Sequence, residues 1–296
     1  MENTRMATTL TAKHSSTTPE LAAPPPLPAA PVVPEHLQVR FPPELLEADP
    51  AVAAEAFARA LRGYARRLKT PELQARFCML ADTPLYEAID TTVVEAYGGV
   101  HPKHWLTRYH DFFVERIHPG ERALDLGCGI GMVAASIAEH SGTTDRPVHV
   151  TGQDWSEHNL EMARDIASKR GLADRLTYSR GDICLHRMTD SRGRPIRFDA
   201  IVLSNVLEHI TDRPARLRLW AEWYRPSRIL IRVPAFDRNW QTALKKDIGV
   251  DYRCDPTHET EYTEDQVYAE VAEAGMSIKE LIIRWGEYWV HAEPNT

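Results

Sequence analysis

Ala123-Leu-Asp-Leu-Gly-Cys-Gly-Ile-Gly131 is the stretch on which the reading of this chain turns. Its first half alternates like a short strand over residues 122–126, and residues 132–140 continue it with a helical apolar pattern. The three glycines therefore sit at a strand-to-helix junction, the place where a doubly wound sheet binds ligands. Gly127, Gly129 and Gly131 take side chains out of the turn and let a ligand approach the backbone. Their spacing, G-x-G-x-G, differs from the G-x-G-x-x-G fingerprint whose third glycine helps to seat a pyrophosphate on the helix start. An acid, Asp125, stands two residues before the first glycine. A carboxylate there opposes a pyrophosphate and favours a ligand with a cationic end, such as the ammonium of an amino acid.

Strands and helices alternate on the C-terminal side of the motif. Strands are predicted over 148–153, 176–179, 198–204 and 228–233, with helices over 157–170 and 215–224. Thr263-Glu-Asp-Gln266 reads as a capping box that opens a helix ending near residue 274. Two strands, 277–284 and 287–292, close the chain around Trp285-Gly286. On the N-terminal side a helix is expected over 103–117, stopped by Pro119-Gly120. Such alternation predicts an α/β fold: a Rossmann-like doubly wound sheet, mostly parallel, with an antiparallel edge strand. Residues 41–97 pattern as a small N-terminal helical cap or lid, with helices over 51–68 and 71–80. Ten of the 21 prolines precede residue 51, so residues 1–40 are expected to be a disordered Pro/Ala-rich tail. The domain carrying the motif spans 98–296.

Composition narrows the partners. The net charge of −7 lacks the basic balance of a nucleic-acid-binding surface; the cluster Arg59, Arg62, Arg66, Arg67 and Lys69 reads as a solvated helix face. The four cysteines stand far apart with no C-x-x-C pair, as expected of a reducing cytoplasm rather than a zinc or disulfide framework. No apolar run approaches the roughly 20 residues that span a bilayer. A small-molecule substrate and self-association as a homodimer are the partners expected, without nucleic acid or membrane.

With these features in order, the chain resembles the class I S-adenosylmethionine-dependent methyltransferases from about residue 97 to 292. In that family the glycine loop, here Asp125 to Gly131, holds the methionine part of S-adenosyl-L-methionine. The resemblance implies that Asp154, within Gly-Gln-Asp-Trp-Ser, binds the ribose hydroxyls. It places Asp182 and Ile183 against the adenine and Asn205, after the fourth strand, against the methionine moiety. Trp155 either stacks on the adenine or packs in the core. The helix before the motif often covers the cofactor in this family, so Tyr109, with Lys103 and His110, is a further contact candidate.

Methyl transfer from a sulfonium is a direct displacement, in which positioning contributes most. A hydroxyl or carbon-acid acceptor also needs a base. Two groups at carboxyl ends of strands offer one: Glu208-His209 after the fourth strand, and the acid-rich connection 251–262 after the fifth, with His258 and Glu261 foremost as base or substrate anchor. His101 and His104, at i and i+3, lack a ligand signature, so they are read as surface or packed histidines and no metal is expected. The Gly99-Val-His-Pro-Lys-His stretch and the tail from Arg232-Val-Pro through Trp285-Gly-Glu-Tyr are similar to bacterial methyltransferases of surface-polysaccharide or metabolite biosynthesis. No Asn-Pro-Pro-Tyr-type sequence follows the fourth strand, which disfavours methylation of nucleic-acid bases. The expected reaction is methyl transfer to a hydroxyl oxygen of a sugar, glycan precursor or specialised metabolite. Its rivals are carbon methylation, a catalytically silent cofactor-binding module and, disfavoured by the glycine spacing, a nicotinamide-dependent oxidoreductase.

Overall fold

Two-residue alternation in Arg122–Leu126 puts Leu124 and Leu126 on one face of a strand, Ala123 and Asp125 on the other. In the computed structural model, which describes residues 34–35 and 42–295, this is strand β1. It is followed by β2 (His149–Asp154), β3 (Leu176–Arg180), β4 (Ala200–Ser204), β5 (Arg228–Pro234), β6 (Met276–Arg284) and β7 (Glu287–Pro294). One sheet holds all seven in the order β3-β2-β1-β4-β5-β7-β6. Strands β1 to β5 pair in parallel, and β7 runs antiparallel to both β5 and β6. The expected α/β sheet with antiparallel pairing at one edge is therefore present.

The helices before β1 are α1 (Pro43–Leu46), α2 (Pro50–Ala65), α3 (Pro71–Ala96), α4 (Lys103–Leu106) and α5 (Asp111–Val114). Those interleaved with the strands are α6 (Met132–His140), α7 (Glu157–Lys169), α8 (Arg213–Tyr224), α9 (Trp240–Asp247) and α10 (Glu264–Glu273). Each face of the sheet buries its own core. Leu124, Leu126, Ile201, Ile229 and Ile231 pack with Trp220 and Tyr224 of α8. Ala123, Val150, Val202, Leu230 and Trp289 pack with Phe112, Phe113 and α6. Asp125 and Arg232 share the second face by the same alternation, so both charges point where apolar residues would otherwise lie.

The capping box is present in full: the Thr263 side chain accepts from the Gln266 N–H, and the Gln266 side chain accepts from the Thr263 N–H. Thr263→Ala should lower unfolding stability by about 1 kcal/mol, read as a shift in the denaturation midpoint at unchanged slope.

Two expectations change. The helix foreseen over 103–117 is two single turns, α4 and α5. Thr107 Oγ donates back to the Lys103 carbonyl at 2.8 Å, and Arg108 takes a left-handed φ of 51° while pairing with Asp111 at 2.7 Å. That reversal turns Tyr109, Phe112 and Phe113 inward. The helix foreseen over 71–80 runs on through Pro84 to Ala96. It is fastened to α9 by Lys245, whose ammonium donates to Asp82 at 2.6 Å and to Thr83 at 3.1 Å. Within the connection between β5 and α10, Asn239 caps α9 by accepting from the Thr242 N–H at 2.9 Å. The tail expected over 1–40 lies outside the described residues, apart from Pro34 and Glu35. Among the described residues no helix is long and apolar enough to cross a membrane.

Candidate active site

Strand order reverses between β1 and β4, and the crevice this opens at their carboxyl ends is where such sheets take ligands. A cleft of about 230 Å³ lies there, lined by Asp125, the glycine loop, Ser204, Asn205, Arg232, and Lys103, His104 and Tyr109 from the α4–α5 segment. The three glycines serve different ends. A Cβ on Gly127 would sit 2.8 Å from Val206, and one on Gly131 would sit 2.6 Å from the Tyr178 hydroxyl and 2.9 Å from Ala163. Those two make room for packing. Only a Cβ on Gly129 would meet nothing within 4 Å, and Gly129 is the glycine that opens the loop to the cleft.

Two oxygens in this crevice are buried without a hydrogen-bond partner: Asp125 Oδ2 and Asn205 Oδ1. Burial, then the charge of Asp154, push the Asp125 carboxyl up to a pKa of about 7. Asn205 holds a left-handed φ of 57° at the end of β4, a conformation asparagine tolerates better than most residues. Orphaned buried acceptors cost stability unless a donor arrives. These two suit an ammonium group, the cationic end that the acid before the glycines led us to expect.

Asp154 ends β2 and is also buried. Its Oδ2 accepts from the Gly129 N–H at 2.9 Å, and Oδ1 accepts from the Ser156 N–H at 2.9 Å. It thus ties the glycine loop to the start of α7, and an ionised carboxylate still has lone pairs to offer a diol. Trp155 is 61% exposed, which overturns the core-packing alternative for this ring. Asp182 caps the turn after β3 by accepting from the Cys184 N–H at 2.7 Å. Ile183 is partly buried against the core of the α8 face, and its carbonyl accepts from Trp220 Nε1 at 2.9 Å.

The α4–α5 segment brings a polar cluster to the same crevice. His104 Nδ1 lies 2.8 Å from the Tyr109 hydroxyl and 3.0 Å from His110 Nε2, and His110 Nδ1 contacts Ser136. Burial drives both imidazoles toward the neutral form, His104 to about 3 and His110 to about 4, and raises Tyr109 to about 12. His101 instead meets Asp90 at 2.8 Å. As a residue of the site, Arg232 was missed in the sequence. It is buried, paired through two nitrogens with Glu287, and its guanidinium lies 4.1 Å from the Tyr109 ring centroid. The available signal was an arginine inside the apolar run Ile229-Leu-Ile-Arg-Val233, where a charge requires a partner.

Glu208, His209, His258 and Glu261 converge. Glu208 is fully buried with neither carboxylate oxygen partnered, and burial raises its pKa to about 8. His209 is exposed and stacks edge-on with His258 at 4.6 Å between centroids. Candidate ligand atoms of Glu208, His209 and His258 lie within 4.8 Å of one another. Glu261 is committed elsewhere: it accepts from Arg238 at 2.7 Å, from the Cys254 N–H at 2.6 Å and from His258 Nδ1 at 3.0 Å. Burial opposes its ionisation, but the bonds from His258 and Cys254 and the Arg238 charge outweigh it and hold its pKa low. A carboxylate so engaged orients His258 and is not free as a base, contrary to its place among the expected bases.

A family model described as a methyltransferase domain matches residues 117–275. Methyltransferase GfsG of Streptomyces halstedii is 33% identical over 110 residues, 37% of this chain and 36% of that protein. The ubiquinone biosynthesis O-methyltransferase of Aeromonas salmonicida is 29% identical over 177 residues, 58% of this chain and 68% of its own. The chain thus spans from about a third to two thirds of these curated relatives. An O-methyltransferase family 2 protein from Planctomyces limnophilus superposes with a TM-score of 0.50 at 17% identity, over 75% of this chain and 62% of that one. Likeness at that identity speaks for the fold alone. The family model, however, covers more than half of the residues, and on that ground the chain belongs to the methyltransferase domain family, as a class I enzyme whose methyl donor is S-adenosyl-L-methionine.

Proposed function

We propose that the cleft between β1 and β4 binds S-adenosyl-L-methionine and that the methyl group passes to a hydroxyl oxygen of a small molecule: a sugar, glycan precursor or specialised metabolite. The observation that carries the cofactor's orientation is the pair of orphaned buried oxygens, Asp125 Oδ2 and Asn205 Oδ1, at the end of the cleft. They take the ammonium, Gly129 leaves the backbone open beside it while Gly127 and Gly131 let the loop pack, and Asp154 accepts from the ribose hydroxyls. Asp182 and Ile183 flank the adenine, with Trp155 free to lie over it, and Tyr109 closes the methionine end from the turn between α4 and α5. Bound there, the cofactor supplies an activated methyl on sulfur.

The chain's own contribution to chemistry is then alignment of the acceptor and removal of its proton. Glu208, His209 and His258 carry that second role, with Glu261 positioning His258. Oxygen as the accepting atom is supported by one relative, the ubiquinone biosynthesis O-methyltransferase. We also propose that residues 41–97 act as a cap on the acceptor side. Arg76 of α3 donates to the Ile248 carbonyl at 3.0 Å, and Lys245 of α9 donates to Asp82 of α3 at 2.6 Å, so the helix packs on the same β5–α10 connection that bears His258.

Calorimetric titration with S-adenosylmethionine, S-adenosylhomocysteine and NAD tests the cofactor reading. Binding of the first two and not the third is expected, followed by label transfer to a hydroxylated acceptor from a broad panel. Cofactor binding with transfer to no oxygen acceptor would defeat the acceptor assignment. Asp154→Ala should weaken S-adenosylhomocysteine binding by about 10- to 100-fold, the loss of charge-assisted hydrogen bonds. An unchanged dissociation constant would place the ribose elsewhere.

A further inference from the structure

Where the segments after β4 and β5 meet, the polar atoms of three side chains converge to within 4.8 Å of one another. The Thr257 hydroxyl donates to Asp255 at 2.6 Å and lies 2.9 Å from His209 Nδ1. With its own hydrogen already given, Thr257 accepts at that contact, so His209 Nδ1 carries the proton and Nε2 keeps a lone pair. His258 Nδ1 faces the Glu261 carboxylate at 3.0 Å, and by the same logic His258 Nε2 also keeps a lone pair. Glu208 adds a carboxylate whose two oxygens are buried without partners. Two imidazole lone pairs beside a carboxyl group without a partner make a donor set for a cation.

We propose that Glu208, His209 and His258 form a binding site for a divalent first-row metal ion. Two histidines and one carboxylate on adjoining loops make the facial set that leaves coordination positions open. Oxygen partners on the far ring nitrogens are the usual second layer of such sites, fixing tautomer and ring orientation. Here Thr257 and Glu261 supply them. The two loops are joined where the Glu259 N–H donates to the Glu208 carbonyl at 2.6 Å. Metal–ligand bonds of about 2.1 Å bring neighbouring donors to about 3 Å apart, and rotation of the exposed His209 ring and the Glu208 carboxylate supplies the closure from 4.8 Å. A second grouping, Cys254, His258 and Glu261, does not compete. Glu261 already accepts from Arg238, the Cys254 N–H and His258 Nδ1.

The site deepens the proposed function and rests on it for its role. An acceptor hydroxyl on an open position of the ion loses its proton to bulk water past exposed His209. The oxygen lone pair then forms the O–CH3 bond as the S–CH3 bond breaks and its electron pair returns to sulfur. The cation does the work that a lone imidazole base would otherwise do. It also departs from the expectation, drawn from the sequence, that no metal is used.

The test is an electron paramagnetic resonance titration of the chelator-treated full chain with Mn²⁺, with and without S-adenosylhomocysteine, and with Zn²⁺ as competitor. One Mn²⁺ should bind per chain and be displaced by Zn²⁺. His209→Ala and His258→Ala should each weaken binding at least tenfold, whereas Cys254→Ser should leave it unchanged. Exposed His209 is replaceable without loss of fold, so that variant keeps the test valid if His258→Ala is unstable. Absence of stoichiometric Mn²⁺ in the wild type, or equal occupancy in the His209 variant, overturns the site. Calorimetry with S-adenosylhomocysteine on the same samples reports the cofactor cleft separately, so a failed metal site is distinguished from a failed methyltransferase reading.

Discussion

His258→Ala should lower methyl transfer by about 10²- to 10⁴-fold, the span that a positioned acid–base group contributes, while S-adenosylhomocysteine binds within about twofold of wild type. The separation follows from geometry. His258 belongs to the connection after β5, is held by Glu261 at 3.0 Å, and lies with Glu208 and His209, none of which lines the cleft beside the glycine loop. A loss confined to kcat or kcat/KM with an intact cofactor site identifies the cluster as the acceptor side. Direct proton removal and metal-assisted removal both require this residue, so the prediction holds under either. Single-turnover transfer with a responsive acceptor gives the rate, and calorimetry gives the affinity. A fall in cofactor affinity equal to the fall in rate would show instead that the β5–α10 connection shapes the cofactor cleft.

Much of this arrangement was legible in the residues because its signals are local. The short apolar runs of β1, β4 and β5, the glycine loop and the Thr263 capping box each depend on neighbours a few positions away, and each appears in the fold. What escaped depended on distant partners. The 103–117 segment carries a helical pattern, yet Arg108 turns left-handed because burying Phe112, Phe113 and Tyr109 against Trp289 of β7 outweighs one more turn of exposed helix. Arg232 could be flagged as a charge in an apolar strand, but its partner Glu287 lies 55 positions on. Among the expected bases, Glu208 and His209 stand in one short sequence and His258 and Glu261 in another. Their convergence, and the difference between an unpartnered Glu208 and a fully engaged Glu261, arise only when the loops after β4 and β5 meet.

Cofactor affinity should depend on pH through Asp125, rising about tenfold per unit as pH climbs to about 7 and levelling above it. In the free chain burial and the neighbouring Asp154 charge keep this carboxyl protonated up to about 7. An ammonium prefers the ionised form, so binding below that pH must expel a proton. Proton release shows directly as a dependence of the calorimetric enthalpy on the ionisation enthalpy of the buffer. Stability without cofactor takes the opposite slope. The folded state holds a proton that the unfolded chain, with an ordinary value of 3.8, has already lost. The stability this gives is complete below about pH 4 and disappears as pH rises to about 7, by up to roughly 4 kcal/mol. Thermal stabilisation by S-adenosylhomocysteine should accordingly be larger at pH 7.5 than at pH 6. Asp125→Asn removes the titration and flattens both profiles. At pH 7.5 it also removes one partner of a buried charge pair, a loss of about 2–5 kcal/mol, or roughly 30- to 5,000-fold in the dissociation constant. If affinity stays flat from pH 5.5 to 7.5 and the asparagine variant binds like wild type, the ammonium does not sit on Asp125. The orphaned oxygens of the crevice must then meet a different donor.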